Sequence, residues 1–193
     1  MGKQNIYVFL FNGFSDWEIA YLAPEINKSD KTMLNYFSVD GSDVISAGGL
    51  KVTPGLSIEN IDADDITILI LPGGDAWENN LIKGIDELVE TLYEKNKTLA
   101  AICAGTTYLG QKGYLDKTKH TSNQPDYLKH YAPGYSGENN YREALAVTDN
   151  NIITANGIAP IEFAREVFRK IELFEEADIE KWFQLFKNGV WSG

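Results

Sequence analysis

Cys103 is the single cysteine of the chain, and its neighbours are those of a reactive thiol. It closes the apolar run Leu99-Ala100-Ala101-Ile102 and opens onto Ala104-Gly105-Thr106-Thr107. A strand that turns sharply into a helix at a nucleophile crowds the adjoining backbones. The residues two before and two after it must then be small, and here they are Ala101 and Gly105. The start of the following helix aims unpaired N–H groups at the sulfur, which favours thiolate over thiol. A small core cysteine at a strand end would carry the same local pattern. A second candidate feature is Leu71-Pro72-Gly73-Gly74-Asp75. The amides of Gly73 and Gly74, turned into a cleft, could hold an oxyanion; a plain glycine-rich turn reads the same way. The third is Glu18, with Phe14 four residues before it and Leu22 four after. On a helix that places its carboxyl on an apolar face, where it can stay protonated and donate a hydrogen bond to a thiolate. The competing role is a capping box with Ser15. Asp16, two residues earlier, points in a different direction. Of the two histidines, His120 is a candidate partner of the thiol, and His130, among polar neighbours, reads as a solvated surface residue.

The elements that must position these residues follow from hydrophobic patterning. Residues 6–11, 35–39, 67–71, 98–102 and 152–155 read as short strands. Unbroken apolar runs of this length suit a parallel sheet covered on both faces. Between them, residues 15–26, 82–96, 104–112, 161–173 and 178–187 carry helical patterns, with Pro160 a favourable first-turn residue. Alternation of strand and helix predicts an α/β fold, a doubly wound sandwich. Residues 44–54 read as a β-excursion around Gly48-Gly49. Residues 123–142, rich in Tyr, Pro, Gly and Asn, read as a partly ordered loop over the carboxyl end of the sheet, where open α/β folds bind ligands. Residues 1–193 are expected to form one domain with a helical extension from about residue 172. The amphipathic stretch 178–191 carries Trp182, Phe183, Phe186 and Trp191; it reads first as a helix packed on the domain, and second as a dimer contact or cover.

Bulk properties narrow the function classes. The chain has 193 residues, 44% hydrophobic and 12% aromatic, enough for a full core. A formal net charge of -11 argues against a nucleic-acid backbone or an anionic membrane as partner. No apolar stretch approaches the roughly 20 residues that span a bilayer, and residues 1–12 show no cationic leader before their apolar run. A lone cysteine fits a reducing compartment. The expectation is a cytoplasmic protein. No Cys, His or Asp cluster has metal-ligand spacing and no glycine-rich phosphate loop follows a strand, so no metal and no cofactor are expected.

Together these motifs resemble the DJ/PfpI superfamily of class I glutamine-amidotransferase-like proteins. The resemblance runs from Ile6 to about Ile171. It rests on G-F-S-D-W-E ending at Glu18, on L-P-G-G at residues 71–74, on A-I-C-A-G around Cys103, and on I-I-T-A-N-G at residues 152–157. It implies a flavodoxin-like sandwich, Cys103 as nucleophile or redox-sensitive thiol, Glu18 as its carboxyl partner, an oxyanion site at the amides of Gly74 and Ala104, and a homodimer. Activities described in the superfamily include peptidase, glyoxalase or glycation repair, isonitrile hydration and stress chaperoning. Two positions depart from the pattern. Peptidase-like members have histidine directly after the cysteine, where this chain has Ala104. Many members have histidine where this chain has Asn123, with His120 three residues earlier. Both departures count against a peptidase. A glutaminase triad, with histidine and glutamate two apart, finds no match at Thr154-Ala155-Asn156.

Three functions remain in competition. In the first, Cys103 attacks a small electrophilic or acyl substrate, as a hydrolase, glyoxalase or deglycase would, with Glu18 moving the proton. In the second, the same thiol senses oxidants or electrophiles, with or without chaperone behaviour. In the third, the fold persists as a non-catalytic binding module.

Overall fold

A computed structural model describes residues 2–191. Five parallel strands carry the centre of the fold: β1 (Gln4–Phe9), β2 (Thr32–Ser38), β6 (Ile68–Leu71), β7 (Thr98–Ile102) and β9 (Ile152–Ala155). With β5 (Leu56–Ser57) and β8 (Ala146–Asp149) they make a seven-stranded sheet in the order β5-β2-β1-β6-β7-β9-β8. Only β8 runs antiparallel, paired with β9 at the edge. Every residue of β6, β7 and β9 is buried. Strands covered on both faces need no polar alternation, and that is why they are almost wholly apolar, Thr98 and Thr154 excepted. The fold is thus the doubly wound α/β sandwich with a mainly parallel sheet that the patterning predicts, and the flavodoxin-like one that the family resemblance implies. A separate two-stranded hairpin, β3 (Val44–Ile45) with β4 (Lys51–Val52), is the excursion around Gly48-Gly49.

The helices are α1 (Leu22–Lys28), α2 (Asp75–Glu78), α3 (Asp86–Glu94), α4 (Gly105–Gln111), α5 (Pro125–Tyr131), α6 (Pro160–Lys170) and α7 (Glu176–Asn188). Two regions differ from their sequence expectation. Residues 15–26 form a 3-10 turn, Asp16–Glu18, and then α1, not one helix. Pro24 has no N–H to give the carbonyl of Ala20, so it suits the first turn of a new helix. Residues 123–142 hold α5 and a 3-10 turn, Glu138–Asn140; Pro125 sets the start of α5 and the polar composition conceals it. The C-terminal α7 packs on α6 through the Phe168–Trp182 rings, 4.8 Å apart, and the Arg165 guanidinium, 3.9 Å over Phe183. Lys187 pairs with the buried Glu162 at 2.8 Å. No described helix is long and apolar enough to cross a membrane.

Candidate active site

Cys103 sits where β7 ends and α4 has not yet begun, with a φ of +56°. A residue with a Cβ in the left-handed region costs about 1–2 kcal/mol, so the surroundings must hold it there. They do so from three sides. The Cys103 N–H donates to Ala155 of β9 at 3.0 Å. Its carbonyl accepts from the Thr106 N–H at 3.0 Å and from the Thr106 hydroxyl at 2.6 Å. The Thr106 hydroxyl also meets that of Ser122 at 2.6 Å, tying the elbow to the segment that carries Asn123.

Glu18 lies fully buried at the end of its 3-10 turn. Its Oε2 accepts the Gly73 N–H at 2.6 Å, while Oε1 has no hydrogen-bond partner. The capping role for Glu18 is not the one taken: Ser15 makes no side-chain cap. Gly73 is the junction of the site. A Cβ there would stand 2.7 Å from the Cβ of Cys103 and 2.9 Å from Glu18 Oε2, so only glycine lets thiol and carboxyl approach. Gly157 does the same from the turn after β9, since its Cβ would fall 2.7 Å from Sγ.

Burial is the dominant influence on both acids. It lifts Glu18 to about 7 against the pull of the Gly73 N–H. It lifts the thiol to about 12, with the Glu18 charge adding to the rise and the Asn123 amide and Ala104 N–H opposing it. The start of α4 therefore does not leave a resting thiolate, contrary to the sequence expectation. Two negative charges in so dry a space are costly, and above about 7 the pair carries one, on the carboxyl.

The other site candidates separate. Asn123 Nδ2 donates to Sγ at 3.4 Å, and its Oδ1 accepts the Gly157 N–H at 2.9 Å, which fixes the amide with nitrogen toward sulfur. His120 is buried but faces elsewhere. Its Nδ1 meets the Thr118 carbonyl at 2.6 Å and its Nε2 the Tyr135 hydroxyl at 2.7 Å. Burial lowers its pKa, so it is a neutral structural histidine. Asp16 pins the β3–β4 hairpin, accepting from the Ser46 hydroxyl and from the Gly48 N–H at 3.1 Å. Gly73 spends its amide on Glu18, so it is no free oxyanion donor. The amides of Gly74 and Ala104 donate to no carbonyl or side-chain oxygen among the described residues. Sequence reasoning missed Asn156, whose Nδ2 holds the carbonyls of Ser122 and Asn123 at 3.2 and 2.9 Å. It also missed Tyr127, whose hydroxyl donates to Glu78 at 2.5 Å. The spacing of four from Asn123, with Pro125 opening a helix between, was the available signal for Tyr127. Among the described residues no three His, Cys, Asp or Glu side chains group as a metal site.

A parallel α/β sandwich with a cysteine elbow facing a buried glutamate defines a recognisable class. The sequence signature of the DJ-1/PfpI family matches residues 4–170, and the chain belongs to that family. It is 36% identical to an uncharacterized protease of Bacillus subtilis, YoaZ, over 97% of this chain and 92% of that protein. It is 28% identical to a deglycase of Thermococcus kodakarensis over 62% of this chain and 72% of that protein. The crystal structure of a thiJ/pfpI family protein from Bacillus anthracis superposes with a TM-score of 0.88 at 35% identity, covering 98% of this chain and 94% of that one.

Proposed function

We propose that the protein is a cysteine-nucleophile enzyme acting on a small electrophilic carbonyl or acyl substrate, a hydrolase, glyoxalase or deglycase in type, working in the cytoplasm as a homodimer. The observation that carries this reading is the elbow itself: Cys103 held at a φ of +56° against a buried Glu18. Glu18, with its unpartnered Oε1, takes the thiol proton as the sulfur attacks the carbonyl carbon. A C–S bond forms, and the carbonyl π electrons move to oxygen. The amides of Gly74 and Ala104, which donate to no oxygen of the described residues, receive that oxyanion. With an aldehyde, Glu18 returns its proton to the oxygen and a thiohemiacetal results. With an acyl substrate, the oxyanion collapses, the leaving group departs with the proton from Glu18, and water later cleaves the thioester.

A proton acceptor beside a protonated thiol supports this reading over an oxidant sensor, because a sensor thiol rests as thiolate whereas a catalytic one can be deprotonated as it attacks. The absence of histidine at Ala104 and at Asn123 weighs against peptide hydrolysis. Turnover of methylglyoxal and of a p-nitrophenyl ester by the wild type and by Cys103→Ser tests the reading. Loss of turnover in the variant is expected, and equal turnover would overturn it.

A further inference from the structure

The charge that acts on the thiol is that of Glu18, and it is negative. Glu18 lies at the floor, fully buried, with Oε1 unpartnered and turned into the space shared with Cys103. The rim is built by two short helices. The first, α2, begins at Asp75, beside the free Gly74 amide, and ends at Glu78. The second, α5, follows Asn123 and places Asp126 and Tyr127 in its first turn. The Tyr127–Glu78 hydrogen bond joins the two helices. Glu18, Asp75, Glu78 and Asp126 form no ion pair with any described residue. Cations of the adjoining elements are engaged elsewhere: Lys112 with Asp86, Lys129 with Glu138, and Arg142 with the carbonyls of Asn139 and Tyr141. His120 is neutral and bound to Tyr135, Lys83 beyond α2 lines a separate cavity with Asp86 and Lys112, and His130 on α5 lies edge-on against Tyr131. The phenols report the same field: Glu78 helps hold Tyr127 protonated, and Glu78 and Asp75 both raise Tyr131.

We propose that this site selects its substrate by charge: Glu18 beneath Cys103, with Glu78 and Asp75 on the rim, admits neutral or cationic electrophiles and turns away those bearing a carboxylate or phosphate. The inference rests on Cys103 being the nucleophile. The free amides of Gly74 and Ala104 suit an oxyanion that develops during reaction, when Glu18 has taken a proton. A substrate that arrives already anionic meets a carboxylate at the floor and more at the entrance, with no cation to offset them.

The single thiol allows a direct test by mass spectrometry. Methanethiosulfonates carrying a trimethylammonium or a sulfonate group, and the neutral methyl reagent, each transfer their alkylthio group to Cys103 and release methanesulfinate. Rates at pH 8 and low ionic strength are divided by those with β-mercaptoethanol. The cationic reagent is expected to outpace the sulfonate by about tenfold or more, as for a cleft lined by one sign of charge. The gap should narrow in Glu78→Gln and in Asp75→Asn, and in added salt. Equal normalised rates would overturn the proposal. So would a gap left unchanged in both variants, which would assign it to the net charge of -11 alone. Failure of all three reagents in the folded protein would overturn the nucleophile reading and this inference with it. Fast but indiscriminate labelling would remove only the charge selection.

Discussion

Two buried ionisable pairs lie in this half of the molecule, and they are solved in opposite ways. His120 and Tyr135 satisfy each other: both imidazole nitrogens have partners, and burial keeps the ring neutral. Cys103 and Glu18 do not: Oε1 is left without a hydrogen bond and the pair shares a charge that burial makes expensive. The first pair gains rigidity from its full complement of hydrogen bonds. The second keeps a carboxyl near its working range, at about 7, ready to take a proton. Residue type alone would have suggested the reverse, since histidine is the usual partner of a catalytic thiol.

Replacement of residues should break this contrast at its strong end first. Cys103→Ala is expected to remove turnover altogether, measured with the aldehyde and ester substrates. Glu18→Gln keeps an acceptor for the Gly73 N–H and removes the proton acceptor. It should slow turnover by about 100-fold or more, and the wild-type rate should rise with pH and level off above about 7 as Glu18 ionises. Stability moves the other way. The folded-state value of Glu18 lies above its ordinary one of 4.5, so the native state binds more protons between 4.5 and about 7, and stability falls as pH rises through that window. Glu18→Gln should therefore unfold at higher denaturant than wild type at pH 8, by roughly 2–3 kcal/mol, and lose that advantage at pH 4.5. An unchanged difference at the two pH values would sink the assignment.

The histidine pair gives the matching test. His120→Phe strands the Tyr135 hydroxyl and the Thr118 carbonyl, and should cost about 1–3 kcal/mol in urea unfolding. The rate of Cys103 alkylation should stay within about twofold of wild type, because no proton path of this site runs through a side chain already saturated by other partners. A large fall in alkylation rate with little loss of stability would instead return His120 to the site.

Much of this arrangement was legible in the sequence, and the illegible part has physical causes. The strands Thr98–Ile102 and Ile152–Ala155 were read at their true bounds, since an unbroken apolar run reports burial directly. The strand β8 was not, because an edge strand half open to water has no apolar run to give. Cys103 was found because the elbow constrains side-chain size on either side, Gly73 by the glycine pair that ends a strand, and Glu18 by apolar residues four before and four after it. Gly73 was nevertheless given the wrong task, as nothing local says that its N–H is taken by a carboxyl 55 residues away. The direction of His120 and the Tyr127–Glu78 bond arise only when the segments meet, so composition and spacing are silent on them.

The smallest expected effect belongs to Asn123, and it decides how far the thiol depends on neutral donors. Its Nδ2 reaches Sγ at 3.4 Å, an ordinary length for the weak bond to sulfur, while Oδ1 is anchored by Gly157. Asn123→Ala removes one of the two groups that pull the thiol down, the other being the Ala104 N–H. Alkylation by iodoacetamide at pH 8 should slow by about threefold to tenfold, the share of one weak hydrogen bond to a developing anion. Asn123→Asp keeps an acceptor for the Gly157 N–H and exchanges the donor for a second carboxylate beside the sulfur. It should slow alkylation further than Asn123→Ala, and added salt should recover little of the loss, because the new charge is partly buried with the thiol. If the two variants react alike, Asn123 acts by holding its loop in place. If Asn123→Asp is clearly the slower, the sulfur senses the sign of what faces it, and the contrast with the neutral, fully bonded His120 rests on electrostatics and not on packing.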